Sequence, residues 1–123
     1  MAAICAAHLV TLYPNVTAFT YGEPRSGNAA FASFLDAHFN GTSAATTRYF
    51  RVTHEDDGII PLPGTDLGYV HQGIEYWARD PPSAANTYVC GGETLECAAG
   101  AGGSGVNAAH IKYFGIGSGD CKS

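Results

Sequence analysis

The sequence lacks the features that membrane and nucleic-acid partners require. Charges, proline or glycine interrupt every apolar stretch before it reaches the roughly 20 residues that a membrane helix needs. Only 6 lysines and arginines stand against 11 aspartates and glutamates, and no block of basic residues could follow a phosphate backbone. We therefore expect neither stable membrane insertion nor a nucleic-acid partner.

The composition that remains is typical of an ordinary folded domain. Of the 123 residues, 46% are hydrophobic and 14% are charged, which disfavours disorder and predicts one domain. The apolar residues 1–10 have no basic residue before them and no adequate signal-peptide core. They are interpreted as part of a helix, and no signal peptide is predicted in this chain.

Hydrophobic periodicity predicts alternating helices and strands in the first half of the chain. Helical spacing covers 1–12, expected to be buried nearly all round, and 29–39. A run of β-branched and aromatic residues predicts a buried strand at 16–21, and the next strand is predicted at 47–53. This alternation describes βαβ units, so we expect an α/β fold with a mostly parallel sheet flanked by helices.

The last third of the chain is richer in loops. Short strands are predicted at 68–71 and 75–78, followed by a flexible glycine-rich loop at 98–105. A short helix is predicted to begin near Asn107 and to carry His110. No internal repeat or linker divides the chain into two domains.

Cysteines and glycosylation sequons both point to an oxidising, secretory route. Cys90 and Cys97 enclose the loop GGETLE, which favours a local disulfide, with two free thiols as the alternative. Sequons begin at Asn15 and Asn40, and Asn40 is expected to be the better exposed because a turn follows it.

Two segments carry side chains suited to acid–base chemistry. The strand at 47–53 leads into His-Glu-Asp-Asp-Gly at 54–58, and the glycine-rich loop leads back to His110. In open α/β sheets, reactive groups lie in loops beyond the carboxyl ends of the strands, so these segments can meet there. In α/β-hydrolases the catalytic residues follow the chain order serine, acid, histidine, and an acid followed by a histidine matches the last two. The histidine takes the proton of the serine, and the acid orients the histidine.

The sequence has no G-x-S-x-G motif for a nucleophile, because the surroundings of Ser26, Ser104 and Ser118 each depart from that pattern. We expect the serine to lie upstream of Met1, directly before a helix such as 1–12, whose start has no capping residue. Since a triad without its serine loses about 10⁶ in kcat, we expect the chain alone to be inactive.

Four sequence blocks, at matching separations, carry a resemblance to a known family: TYGEPRSGN, RVTHEDDGIIPLP, GYVHQGIEYW and VNAAHIKYFG. They resemble the fungal class 3 lipases, which are α/β-hydrolases, and most closely their type A feruloyl esterase branch. The resemblance implies that 1–123 is the carboxy-terminal half of such a domain and that the amino-terminal half, with the nucleophile elbow, is its missing partner. It also implies a secreted parent that needs no cofactor and acts on a feruloylated plant-wall polysaccharide or an acylglycerol.

The same resemblance assigns roles to individual residues. It implies that Asp57 is the triad acid and His110 the triad base. It implies that Ile59, Leu62 and Val106 form the apolar wall of an acyl pocket, although ordinary core positions are the alternative.

Other residues are given structural roles. Cys121 resembles a family cysteine whose partner lies near the mature amino terminus, so it is expected to be unpaired here. His54 and His71 are interpreted as structural, bonding backbone groups or neighbouring carboxylates.

Two different classes of function remain as alternatives. A zinc or calcium site could use 54–57, His71 and His110, but an EF-hand loop would place Thr53 and Gly64 where it needs ligands, so no metal is predicted. A non-catalytic module that binds a carbohydrate or lipid surface is the second alternative. Its aromatic residues would form a stripe, whereas those of this chain are spread over core-like positions.

Overall fold

A computed structural model describes residues 1–117 and 119–120 of the chain. In chain order its helices and strands are α1 (Ala2–Leu12), β1 (Ala18–Tyr21), β2 (Gly27–Asn28), α2 (Ala29–Phe39), β3 (Tyr49–His54), β4 (Tyr69–Val70), β5 (Ile74–Ala78), β6 (Thr87–Cys90), β7 (Lys112–Tyr113) and β8 (Ile116–Gly117). Single 3₁₀ turns occupy Thr65–Leu67, Ala84–Asn86 and Ala98–Gly100. Regular structure is therefore concentrated in the first two thirds of the chain.

The central sheet has four strands in the order β1-β3-β5-β6. β3 pairs in parallel with both β1 and β5, whereas β6, which the sequence did not predict, returns antiparallel to β5. Two-stranded pairs join β2 to β4 and β7 to β8. The predicted α/β fold with a mostly parallel sheet is confirmed.

Helix α1 is buried on one face only. Its buried residues are the small Ala3 and Ala6 together with Val10, whereas Ile4 and Leu12 are 57% and 58% exposed. The expectation of a helix buried nearly all round is therefore wrong. Its main packing partners are α2 and β1.

Helix α2 has clear signals at both ends. The side chain of Asn28 accepts a hydrogen bond from the backbone N–H of Phe31 at 3.1 Å, which satisfies a free donor of the first turn. The helix ends at Asn40, whose φ of 54° is a left-handed conformation that terminates helices. No helix in the described ranges is long and apolar enough to span a bilayer.

The hydrophobic core lies between the two helices and one face of the sheet. Leu35, Phe39 and Tyr49 are almost completely buried there, next to the small residues of α1. On the opposite face of the sheet, Phe19 stacks on Phe50 with ring centroids 4.8 Å apart. Phe19 and Tyr21 are more than half exposed, so the prediction that β1 is a buried strand is wrong for its outer face.

The cysteines differ in their environment. Cys90 and Cys97 form the expected disulfide, with their Cα atoms 6.6 Å apart, and this bond ties the end of β6 to the following loop. Cys5 is free and exposed on α1. The expectation that Cys121 is unpaired lies outside the described residues. The asparagines of both sequons, Asn15 and Asn40, are exposed.

Replacing Leu35 by alanine should destabilise the fold by about 2–5 kcal/mol, because it removes a fully buried side chain from the core. The same substitution at Leu12, which is 58% exposed, should cost less than about 1 kcal/mol. Urea unfolding followed by circular dichroism measures both. Equal losses for the two variants would contradict the core as described.

Candidate active site

Asp57 lies just beyond the carboxyl end of β3, in the loop that the parallel sheet directs to its reactive edge. Its backbone N–H donates to the carbonyl of His54 at 3.0 Å, and its Oδ1 accepts the N–H of Ile59 at 2.9 Å. The carboxylate is buried, with 1% of the residue exposed. Two hydrogen bonds within this turn therefore hold the carboxylate in place.

His110 brings its imidazole to this carboxylate from 53 positions further along the chain. Its Nδ1 lies 3.0 Å from both Oδ1 and Oδ2 of Asp57, and its side chain is 28% exposed. The predicted helix near Asn107 is absent, and a turn at 108–111 takes its place. In that turn Asn107 accepts the backbone N–H of His110 through both its own carbonyl and its side-chain oxygen.

Close packing of glycines joins the two loops that carry this pair. Gly58 and Gly105 form an antiparallel bridge, and a side chain at Gly58 would come within 2.3 Å of the Ser104 backbone. At Gly103 a Cβ would lie 1.5 Å from the carbonyl oxygen of Asp56, so only glycine fits. The segment predicted as a flexible loop is thus a packing surface here.

Tyr113 is a third residue of the site, which the sequence reasoning missed. Its hydroxyl donates to Oδ2 of Asp57 at 2.7 Å. The pKa of Tyr113 is raised, chiefly by burial and further by the hydrogen bond to the carboxylate and by its charge, so the phenol stays protonated and donates. Its position three residues after His110, in the block VNAAHIKYFG, was the available signal.

Gly22, the residue that follows β1, lies directly against the pair. A Cβ built on it would be 2.9 Å from Oδ2 of Asp57, 3.1 Å from Nδ1 of His110 and 3.0 Å from the hydroxyl of Tyr113. Its φ of +60° also favours glycine. At Gly22 the chain therefore approaches the pair with backbone alone.

The loop that follows Asp57 is held from the other side by buried polar groups. Arg25 donates to the carbonyls of Pro61 and Pro63, the latter at 2.9 Å, and forms a two-pronged ion pair with Glu93. His71 bonds the carbonyl of Ile60 through Nε2 at 3.0 Å. Since a carbonyl only accepts, Nε2 of His71 carries a proton.

The two histidines predicted to be structural, His54 and His71, contact different parts of the chain. His54 contacts the carbonyl of Ala109 and the carboxylate of Asp80, and His71 contacts the loop at Ile60. Within residues 1–117 and 119–120, no three His, Cys, Asp or Glu side chains come together in a way that could hold a metal ion.

The three residues expected to line an acyl pocket have different environments. Ile59 is partly buried, whereas Leu62 and Val106 are 47% and 70% exposed, so neither of these two is a core residue. A cavity of about 430 Å³ next to His110 is lined by none of the three. Its lining residues are Tyr21, His110, Ile111, Tyr113, Phe114, Ile116 and Gly117.

The start of α1 lies at the same edge of the sheet. A cavity of about 230 Å³ is lined by Met1 and Ala2 on one side and by Tyr21 and Gly22 on the other. Of the serines considered, Ser26 donates to Glu23 at 3.1 Å, and Ser118 lies outside the described residues. In the described part of the chain, nothing hydrogen-bonds to Nε2 of His110.

The sequence is similar to a known family of lipases. The sequence profile described as Lipase (class 3) matches residues 1–67. The secreted mono- and diacylglycerol lipase A of Penicillium cyclopium is 39% identical over 72 residues, which cover 58% of this chain and 21% of that protein. The secreted mono- and diacylglycerol lipase 1 of Fusarium solani is 36% identical over 102 residues, covering 78% of this chain and 28% of that protein.

Solved structures extend the similarity to the fold. The triacylglyceride lipase of Rhizomucor miehei superposes with a TM-score of 0.76 and 30% identity, over 98% of this chain and 45% of that one. The architecture is therefore that of part of an α/β-hydrolase. The chain belongs to the class 3 lipase family, and it spans between a fifth and a third of the curated relatives named above.

Replacing Gly22 by alanine should destabilise the chain by more than the same change at Gly68. Both positions have positive φ, so each substitution costs about 1–2 kcal/mol of backbone strain. Only Gly22 adjoins the pair, since nothing lies within 4 Å of a Cβ at Gly68, and displacing the pair should add about 1–3 kcal/mol. Parallel urea titrations measure the difference, and an equal loss would show that Gly22 does not support the pair.

His71 should make the fold less stable in acid. Burial, followed by the charge of Arg51, lowers the pKa of His71 to about 3, whereas an unfolded histidine titrates near 6.5. Below about pH 6.5 the unfolded chain takes up a proton that the folded chain excludes, so stability falls as the pH decreases towards 3. Between pH 7 and pH 5 this amounts to about 2 kcal/mol.

The replacement His71→Gln isolates this contribution, because glutamine can still donate to the Ile60 carbonyl but does not titrate. The unfolding free energy of this variant should lose less between pH 7 and pH 5 than that of the wild type. Exposed His8, changed to glutamine, serves as the control and should leave the pH dependence as it is. An unaltered pH dependence in His71→Gln would contradict the assignment.

Proposed function

We propose that this chain supplies the acid and the base of a serine carboxylic-ester hydrolase, with Asp57 and His110 in those roles. The observation that carries the proposal is the contact of His110 Nδ1 with both carboxylate oxygens at 3.0 Å, on a carboxylate that is almost completely buried. Because an ionised carboxylate only accepts hydrogen bonds, Nδ1 carries the proton in the neutral imidazole. Nε2 is then the free base.

The chemistry follows from this tautomer. Nε2 of His110 takes the proton of a serine hydroxyl as the hydroxyl oxygen attacks the ester carbonyl carbon, and it later returns that proton to the departing alcohol oxygen. Asp57 keeps the ring in the required orientation and stabilises the imidazolium that forms in between. The donors from Ile59 and Tyr113 hold the carboxylate still during both steps.

The nucleophile in this proposal comes from polypeptide outside residues 1–123, namely from the amino-terminal half of the same hydrolase domain. Two observations support this position. No G-x-S-x-G motif occurs in the sequence, and the start of α1 shares a cavity with Gly22, which adjoins the acid–base pair. A serine on a strand-to-helix turn just ahead of α1 would lie close to His110.

The proposed substrate is an ester with an apolar acyl group, in a secreted parent protein. The named relatives are secreted mono- and diacylglycerol lipases, which favours an acylglycerol over the feruloyl ester that the sequence blocks suggest. The apolar cavity beside His110 and the exposed Leu62 and Val106 suit an acyl chain. Ile59 is proposed to act with these two. The proposed chemistry requires neither a metal nor a cofactor.

Adding an amino-terminal lipase fragment tests the proposal. This chain is co-expressed with the half of the Penicillium cyclopium lipase that precedes the matched region, and hydrolysis of diolein and methyl ferulate is measured. We expect activity only when both parts are present. Asp57→Asn and His110→Ala should each lower it by about 10⁴-fold or more, because the triad acts as a unit.

The exposed acid next to the proposed triad residue provides a matched control. Asp56→Asn removes the same charge one position earlier and should leave turnover within about twofold of the wild type, since only its backbone carbonyl bonds within the site. Turnover by the 123-residue chain alone, lost in the His110 variant, would refute the assignment of the nucleophile to another segment.

A further inference from the structure

His54 touches each of the segments that build the acid–base pair, although its role in the chemistry is unassigned. We propose that His54 is a positioning residue for His110 and acts through the peptide bond that joins Ala109 to His110. This inference rests on the proposed function of Asp57 and His110.

The contacts of His54 place it between the two arms of the site. It is the last residue of β3 and is 5% exposed. Its carbonyl accepts the N–H of Asp57 at 3.0 Å, and its ring Nδ1 lies 3.1 Å from the carbonyl oxygen of Ala109. The ring also packs against Tyr113, with centroids 5.4 Å apart. His54 therefore contacts the acid through its backbone, and the base segment and the third donor through its side chain.

The bond to Ala109 matters because of the peptide group to which this carbonyl belongs. A peptide unit is planar, so its oxygen and its N–H move together. His54 holds the oxygen, and Asn107 holds the N–H of His110 at 3.1 Å from its side-chain oxygen. With both edges of the plane held, the N–Cα bond of His110 is held as well, which narrows the range of positions from which Nδ1 can approach Asp57.

The two ring nitrogens of His54 have different tasks. Nδ1 must carry a proton, because the Ala109 carbonyl only accepts. Nε2 lies 3.3 Å from Oδ1 of Asp80, whose side chain is 59% exposed, so this contact is a weak, solvent-screened one. The positioning role therefore belongs to Nδ1, whereas Asp80 is dispensable for it.

Two amide substitutions separate these nitrogens. Asparagine can place its N–H near the position of Nδ1, whereas glutamine reaches the position of Nε2. His54→Asn should keep the bond to Ala109, and His54→Gln and His54→Leu should lose it. The readout is the rate at which the Nδ1 proton of His110 exchanges with water in the full chain, followed by ¹⁵N-edited NMR, with the urea midpoint measured alongside.

We expect exchange about fivefold faster in His54→Gln and His54→Leu, the effect of losing one hydrogen bond, and a rate close to the wild type in His54→Asn. Asp80→Asn should also leave the rate unchanged. Equal rates in the asparagine and glutamine variants, at comparable urea midpoints, would overturn the positioning role alone. A wild-type chain without a protected Nδ1 proton would overturn this role and the proposed function together.

Discussion

The buried carboxylate of Asp57 is the group on which the rest of the site depends. An ionised carboxylate removed from water is tolerated only when donors replace the lost solvent. Asp57 has three, from the Ile59 backbone, the Tyr113 hydroxyl and the His110 ring, each at 3.0 Å or less. Because the buried carboxylate needs these donors, segments more than fifty positions apart in the sequence meet at this point.

Backbone geometry decides how closely those segments approach. The contact between Asp57 and His110 forms at the carboxyl ends of parallel strands, where the loop after β3 carries Asp57 and the residue after β1 is a glycine. On the far side, Gly58 and Gly103 let two loops meet backbone to backbone. A side chain at any of these glycines would separate the acid from the base, so their absence of a Cβ is a structural requirement and not a sign of mobility.

The sequence predicted those parts of the molecule that follow from pattern and order. The α/β alternation, both helices and the strand before Asp57 could be found because periodicity and β-branched runs are local signals. The sequence could not predict which surfaces of these elements are buried. The exposure of Ile4 and Phe19 depends on which other elements pack against them. The helix predicted near Asn107 does not form. That segment is a turn, in which the side chain of Asn107 accepts the backbone N–H of His110.

Within the site, residues that belong to a known motif order were predictable, and residues that act only through long-range contacts were not. Asp57 and His110 stand in a recognised order, whereas Tyr113 and Gly22 act through contacts that only the folded chain creates. Asp57 and His110, the proposed acid and base, both lie in this chain, whereas the proposed nucleophile does not. The donors to Asp57 and both proposed anchors of the His110 peptide come from residues 54–113, so the proposed orientation of the base does not depend on the segment that carries the serine. A segment that brings a hydroxyl to Nε2 would then add the proximity of the nucleophile and an oxyanion donor to a base that residues of this chain orient.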